Sequence, residues 1–142
     1  MPTVQRFEDL EVWQEARELV KRVYQLTARF PKQETFGLAN QMQRAAVSTM
    51  SNIAEGFERG ANTEFIQFLF VAHASCGEVR SQSYVALDLN YAPQSEIDDI
   101  RERCERLSRR LKTFIEYLKH SRIKGHKFND ERASYEIEQP LT

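Results

Sequence analysis

Four stretches of this chain carry apolar residues three and four positions apart. A proline or a glycine closes each stretch within a few residues. That spacing puts one apolar stripe on each of four helices, and no stretch alternates as a half-buried strand does. The first helix is expected over residues 9–29, with Leu10, Trp13, Ala16, Val20, Val23 and Phe30 on one face and Asp9 as its N-cap. Pro31 ends it, because proline disfavours the helical region for the residue before it. The second is expected over residues 35–57, seamed by Leu38, Met42, Ala45, Thr49, Ile53 and Phe57. Gly56 and Gly60 bracket its exit. The third starts at a cap formed by Asn62 or Thr63 and runs to residue 89 along Phe65, Leu69, Ala72, Cys76, Val79, Ser83 and Ala86. Ser95 caps the fourth, with Asp98 three residues on as a shortened capping box. Its core face carries Ile97, Ile100, Cys104, Leu107, Leu111, Phe114, Ile115 and Leu118.

Four amphipathic helices with short connections predict an all-α fold, an antiparallel up-down-up-down four-helix bundle. The bundle is expected over residues 7–122. Residues 123–142 have no period and are expected to form a flexible C-terminal tail. The apolar runs are too short to span a membrane, and the first residues lack the apolar core of a signal peptide. The chain is therefore expected in the cytoplasm, with Cys76 and Cys104 as reduced, buried thiols.

Charge is informative by where it is missing. Its total is close to balance, 20 Lys and Arg against 21 Asp and Glu, so no bulk electrostatic grip on nucleic acid is expected. Between Arg44 and Glu55, and again between Glu64 and Glu78, no Asp, Glu, Lys or Arg occurs on any side of the helix. A helix uncharged all round for about three turns is usually buried on more than one face. Either small polar residues such as Ser48, Ser51, Asn52 and Ser75 face water there, or they face another subunit. The second reading predicts a homo-oligomer. Arg44 and Glu55 lie about 16 Å apart along their helix, too far to pair, so each needs a partner elsewhere. Glu78 and Arg80 are the candidates on the third helix.

These stretches carry a family resemblance. Phe7-Glu8-Asp9-Leu10 with Trp13 and Ala16, then Phe30-Pro31, Glu34, Gly37-Leu38, Gln41, Arg44-Ala45 and Ser48, are its first parts. Asn52-Ile53-Ala54-Glu55-Gly56 with Arg59 is its strongest part, followed by Phe65, Ala72, Ser75 and Glu78. Over residues 7–120 the chain resembles the four-helix bundle proteins also called 23S rRNA intervening-sequence proteins. Ala74 stands where the family pattern has a glycine. The resemblance implies a ring-like homopentamer without enzymatic activity. It implies structural roles for the motif residues Trp13, Arg44, Asn52, Glu55, Gly56, Arg59, Ser75 and Glu78. A more distant branch resembles the accessory protein of diversity-generating retroelements, which implies RNA, DNA or a nucleic-acid enzyme such as a reverse transcriptase as partners.

The residues themselves offer little chemistry. None of His73, His120 and His126 follows a glutamate by three, so the paired Glu-x-x-His of a di-iron bundle is missing. No cofactor or metal is expected. Gly56-Phe57-Glu58-Arg59-Gly60 lacks the Lys and Ser/Thr of a phosphate loop. Residues 101–127 hold ten Lys or Arg and three Glu. Arg103, Arg106 and Arg110 share one side of the fourth helix with Tyr117, a candidate nucleic-acid-binding patch in which Tyr117 offers a stacking face. The competing reading is a solvated helix face beside Glu102, Glu105 and Glu116. Two functions therefore stand. One is a non-catalytic oligomeric bundle that binds or scaffolds RNA, DNA or a nucleic-acid enzyme. The other is a purely protein-binding assembly with no nucleic-acid contact.

Overall fold

The structure is a computed structural model that describes residues 4–121. The expected tail at 123–142 lies outside the described residues. Within them the fold is all-α, with no strand. Four helices run in chain order: α1 (Glu11–Thr27), α2 (Leu38–Arg59), α3 (Asn62–Asp88) and α4 (Gln94–Lys119). Single 3-10 turns at Phe7–Asp9 and Lys32–Glu34 precede α1 and α2. Each of α1 and α3 packs on both α2 and α4.

The expected seams form the core. Leu10, Val23, Met42, Ile53, Leu69, Cys76, Leu107 and Leu111 are buried, and so are most of their seam neighbours. Three phenylalanines tie three helices together. Phe65 on α3 meets Phe57 of α2 edge-on at 5.9 Å between centroids, and Phe114 of α4 at 5.5 Å. Such edge-to-face pairs add about 0.5–1.5 kcal/mol beyond area burial.

The helix ends differ from the sequence expectations, and the reasons are local. Asp9 is not the cap of α1: it sits in the first 3-10 turn, and the extended Leu10 occupies the cap position with no side-chain hydrogen bond. Leu10 is fully buried there. Burying a leucine side chain stabilises by about 1.5–3 kcal/mol, more than the ~1 kcal/mol typical of a cap. Ala61 precedes α3, and Asn62 is already helical and buried. Pro93, not Ser95, precedes α4, and its carbonyl accepts from the amides of Glu96 and Ile97.

α2 starts three residues later than expected because a carboxylate caps it. Glu34 Oε1 accepts from the Leu38 amide at 3.0 Å, and Oε2 accepts from the Tyr91 hydroxyl at 2.6 Å. One side chain thus closes the end of α2 and ties the α1–α2 connection to the α3–α4 connection. At the other end of α2, Gly60 adopts φ +85°, the left-handed conformation that ends a helix. One turn earlier, Gly56 lets α3 approach: a Cβ there would stand 2.6 Å from Phe68 Cβ and 2.9 Å from Phe65 Cδ1.

Two measurements follow from these contacts. Gly56→Ala is expected to destabilise the fold by about 1–3 kcal/mol in urea unfolding, overpacking outweighing the better helix propensity of alanine. The Tyr91 hydroxyl, and after it the Leu38 amide, hold the Glu34 carboxyl below its usual value of 4.5. Its contribution is therefore complete above that value and is lost as pH falls through the lowered folded value. Acid unfolding profiles of the wild type should show this extra loss, and those of Glu34→Gln should not.

Candidate functional site

The basic side of α4 does not face water as a stripe. Arg110, Arg106 and Arg103 point toward α1, which carries Glu11, Glu15 and Glu18 at matching four- and three-residue steps. Arg110 pairs with both Glu11 and Glu15, and its side chain is only 13% exposed. Arg106 Nε lies 3.4 Å from Glu15 and stays 54% exposed. Arg103 donates to Asp99 one turn back at 3.1 Å. Tyr117 is half-buried against the core. The pairs descend along α4 as they ascend along α1, and Arg29–Glu96 at 2.9 Å continues the series. Burial pushes the Glu15 carboxyl up, against the pull of Arg106 and Arg103. The expectation of a solvated phosphate-binding row therefore needs correction at Arg110, which two carboxylates enclose at a helix seam. Reading α4 alone could not show this; laying the glutamates of α1 against the arginines of α4 in opposite directions would have. On the outer side of α4, Arg109 and Lys112 are exposed and form no ion pair among the described residues.

The motif residues cluster on α2 and α3. Asn52 Nδ2 donates to the Ser48 carbonyl at 2.8 Å and to its hydroxyl at 3.0 Å. The Ser48 and Ser75 hydroxyls meet at 2.8 Å across the two helices. Arg59 reaches Glu55 at 4.0 Å and Glu64 at 3.6 Å, with its guanidinium 5.2 Å over the Phe68 ring. These contacts hold the α2–α3 turn together around Gly56. Trp13 lies apart from them, half-buried beside Phe7 at 5.2 Å with Arg17 over its ring. Of the four charges whose partners the sequence left open, Glu55 takes Arg59 and Arg80 takes Glu105 at 3.4 Å. Arg44 and Glu78 are both exposed and make no ion pair among the described residues. Both line a polar groove of about 630 Å³ along α2, walled on the α1 side by Tyr24.

The uncharged run of α3 is open to solvent in the single chain. Phe70, Val71, Ala74 and Gly77 are exposed along one side of it, and beyond Glu78 the same side continues with Ser81, Tyr84 and Val85; Val71 is 47% and Val85 43% exposed. Sequence reasoning located the uncharged segment but not which side of it the chain leaves uncovered. Phe36, in the connection before α2, is 92% exposed.

No catalytic constellation assembles among the described residues. No three of their His, Cys, Asp or Glu side chains gather as metal ligands. His73 Nε2 lies 2.9 Å from the Ser108 hydroxyl, and burial and then Lys112 lower its pKa. Cys76 donates to the Cys104 carbonyl at 3.3 Å in the core. The contact with Cys76, and then burial, push the Cys104 thiol up. No helix among the described residues is long and apolar enough to cross a membrane.

Comparison with known proteins gives a family and a fold. The sequence model of the 23S rRNA-intervening sequence proteins matches residues 8–113. No curated protein matches the chain. A solved structure of a protein of unknown function from the S23 ribosomal protein family of Bacteroides thetaiotaomicron superposes with a TM-score of 0.69. It is 20% identical, and the match covers 74% of this chain and 98% of that one.

The α1–α4 pairs separate a structural role from a binding one. Arg110→Ala leaves two carboxylates without their shared partner at a largely buried seam, so it is expected to cost about 3–5 kcal/mol. Arg106→Ala, at an exposed pair, is expected to cost at most about 1 kcal/mol. Urea unfolding of the two variants measures the difference.

Proposed function

The chain belongs to the 23S rRNA-intervening sequence protein family, and from that premise we propose that it is a non-catalytic, self-assembling bundle that acts as a binding or scaffold protein. The helices stand up-down-up-down in antiparallel order, and copies join through the outer face of α2 and α3 into the ring-like homopentamer that the family resemblance implies. The observation that carries this reading is the exposed side of α3, where Phe70, Val71 and Ala74 lie in the uncharged run between Glu64 and Glu78, and Tyr84 and Val85 follow beyond Glu78. A helix that keeps a solvent face usually dresses it with charge, as α1 and α4 do. Exposed apolar side chains grouped on one side of a helix suit a protein contact. The arrangement favours a protein-binding assembly over a nucleic-acid grip by Arg103, Arg106 and Arg110, since α1 and α4 already supply carboxylates to those three. With two buried thiols, the cytoplasm is its proposed compartment.

A second reading keeps a specific observation. Arg109 and Lys112 are exposed on the outer side of α4 without an ion pair among the described residues. Repeated around a ring, they would present a cationic band to RNA or DNA.

Light scattering at micromolar concentration tests the leading reading. The wild type is expected at a multiple of the single-chain mass, and Val71→Asp with Val85→Asp at a lower mass with unchanged helicity. A wild type at the single-chain mass would overturn it. A gel-shift series with structured RNA and duplex DNA at two salt concentrations separates the readings. Binding that weakens with salt and disappears in Arg109→Ala with Lys112→Ala supports the nucleic-acid reading, and no binding at low salt supports the protein-only one.

A further inference from the structure

Arg44 and Glu78 are opposite charges on neighbouring helices, and each lacks a partner within the described residues. The Ser48–Ser75 hydrogen bond, 2.8 Å between hydroxyls, fixes the register of α2 against α3. Arg44 lies four residues before Ser48 and Glu78 three after Ser75. Because the pairings of α2 and α3 run in opposite directions, both steps lead about one turn toward the same end. Both side chains line the same groove of about 630 Å³, yet they do not meet. Charges elsewhere between helices do meet: Arg59 with Glu64, Arg80 with Glu105, Arg110 with Glu11.

Around them charge is sparse. Residues 45–54 of α2 and 65–77 of α3 hold no Asp, Glu, Lys or Arg. A molecule that covers this face removes Arg44 and Glu78 from water, and burying either without a counter-charge is strongly unfavourable. An occupant that brings one charge of each sign avoids that cost. A polyanion does not, since Glu78 would repel it. A second copy of this chain does.

We propose that Arg44 of one copy pairs with Glu78 of a second copy, and that this cross-chain pair sets the register in which α2 of one copy docks against α3 of the next around the ring. The inference rests on the self-assembly reading and names the polar contact that orients it. A head-to-tail ring uses the pair once per contact.

Charge reversal tests it. Arg44→Glu and Glu78→Arg each put like charges across the contact. Each is expected to raise the concentration at half-dissociation about tenfold or more in sedimentation or light scattering, with unchanged helicity by circular dichroism. An equimolar mixture of the two single variants, one carrying a fluorescent label, is expected to regain assembly in part, since a ring of five keeps at least one contact between copies of the same variant. Wherever a copy of one variant meets a copy of the other, opposite charges again face each other across the contact. The double variant in one chain is expected to assemble like the wild type. Two results overturn the pairing while leaving self-assembly intact: single variants that assemble as the wild type does, or a double variant that assembles while the mixture stays apart, which would place the pair within one chain. A wild type that never leaves the single-chain mass overturns the self-assembly reading as well.

Discussion

α2 and α3 approach so closely that Gly56 has no room for a methyl group, with Phe68 Cβ 2.6 Å from where that group would stand. The other distinctive features of the molecule follow from this contact. It drops Phe65 between Phe57 and Phe114, so three helices share one aromatic cluster. It brings the Ser48 and Ser75 hydroxyls into contact and sets the register of the pair. It also leaves one side of α3 outward, where Phe70, Val71 and Ala74 of the uncharged run are exposed. The left-handed Gly60 makes the close approach possible, because it ends α2 and reverses the chain within a few residues.

The electrostatics divide by helix pair. The α1–α4 seam is closed by matched charge: arginines of α4 lie along a row of carboxylates, and Arg110 sits between Glu11 and Glu15. Such a seam stabilises a register more than it attracts a ligand, because each cation already has a local anion. The α2–α3 face is the opposite case. Its middle is sparse in charge, and two of the charges that flank it, Arg44 and Glu78, make no ion pair among the described residues. A surface that repels neither apolar groups nor a self-complementary copy suits contact between proteins.

Glu34 and the thiols show how ordinary groups take on defined roles through position. Glu34 caps α2 and accepts from Tyr91, so one carboxylate joins the α1–α2 and α3–α4 connections. Cys76 and Cys104, in apolar seams of α3 and α4, donate and accept within the core. The contact with Cys76, and after it burial, hold the Cys104 thiol above its ordinary range.

Much of the architecture was legible in the linear order of residues. The four apolar seams, the breaks at Pro31, Gly60 and Pro93, and the uncharged runs are local properties, and periodicity reports them directly. Helix ends were less legible: Asp9 and Ser95 have the chemistry of caps, but burial of Leu10 and the missing amide of Pro93 decided those positions. The fate of Arg110 could not be read from α4, because a counter-charge comes from whichever helix packs alongside, 95 residues away in sequence. The side of α3 left facing outward was hidden for the same reason. Helical periodicity states which residues share a face, whereas coverage of that face depends on neighbours distant in the chain, and only the packed fold specifies them.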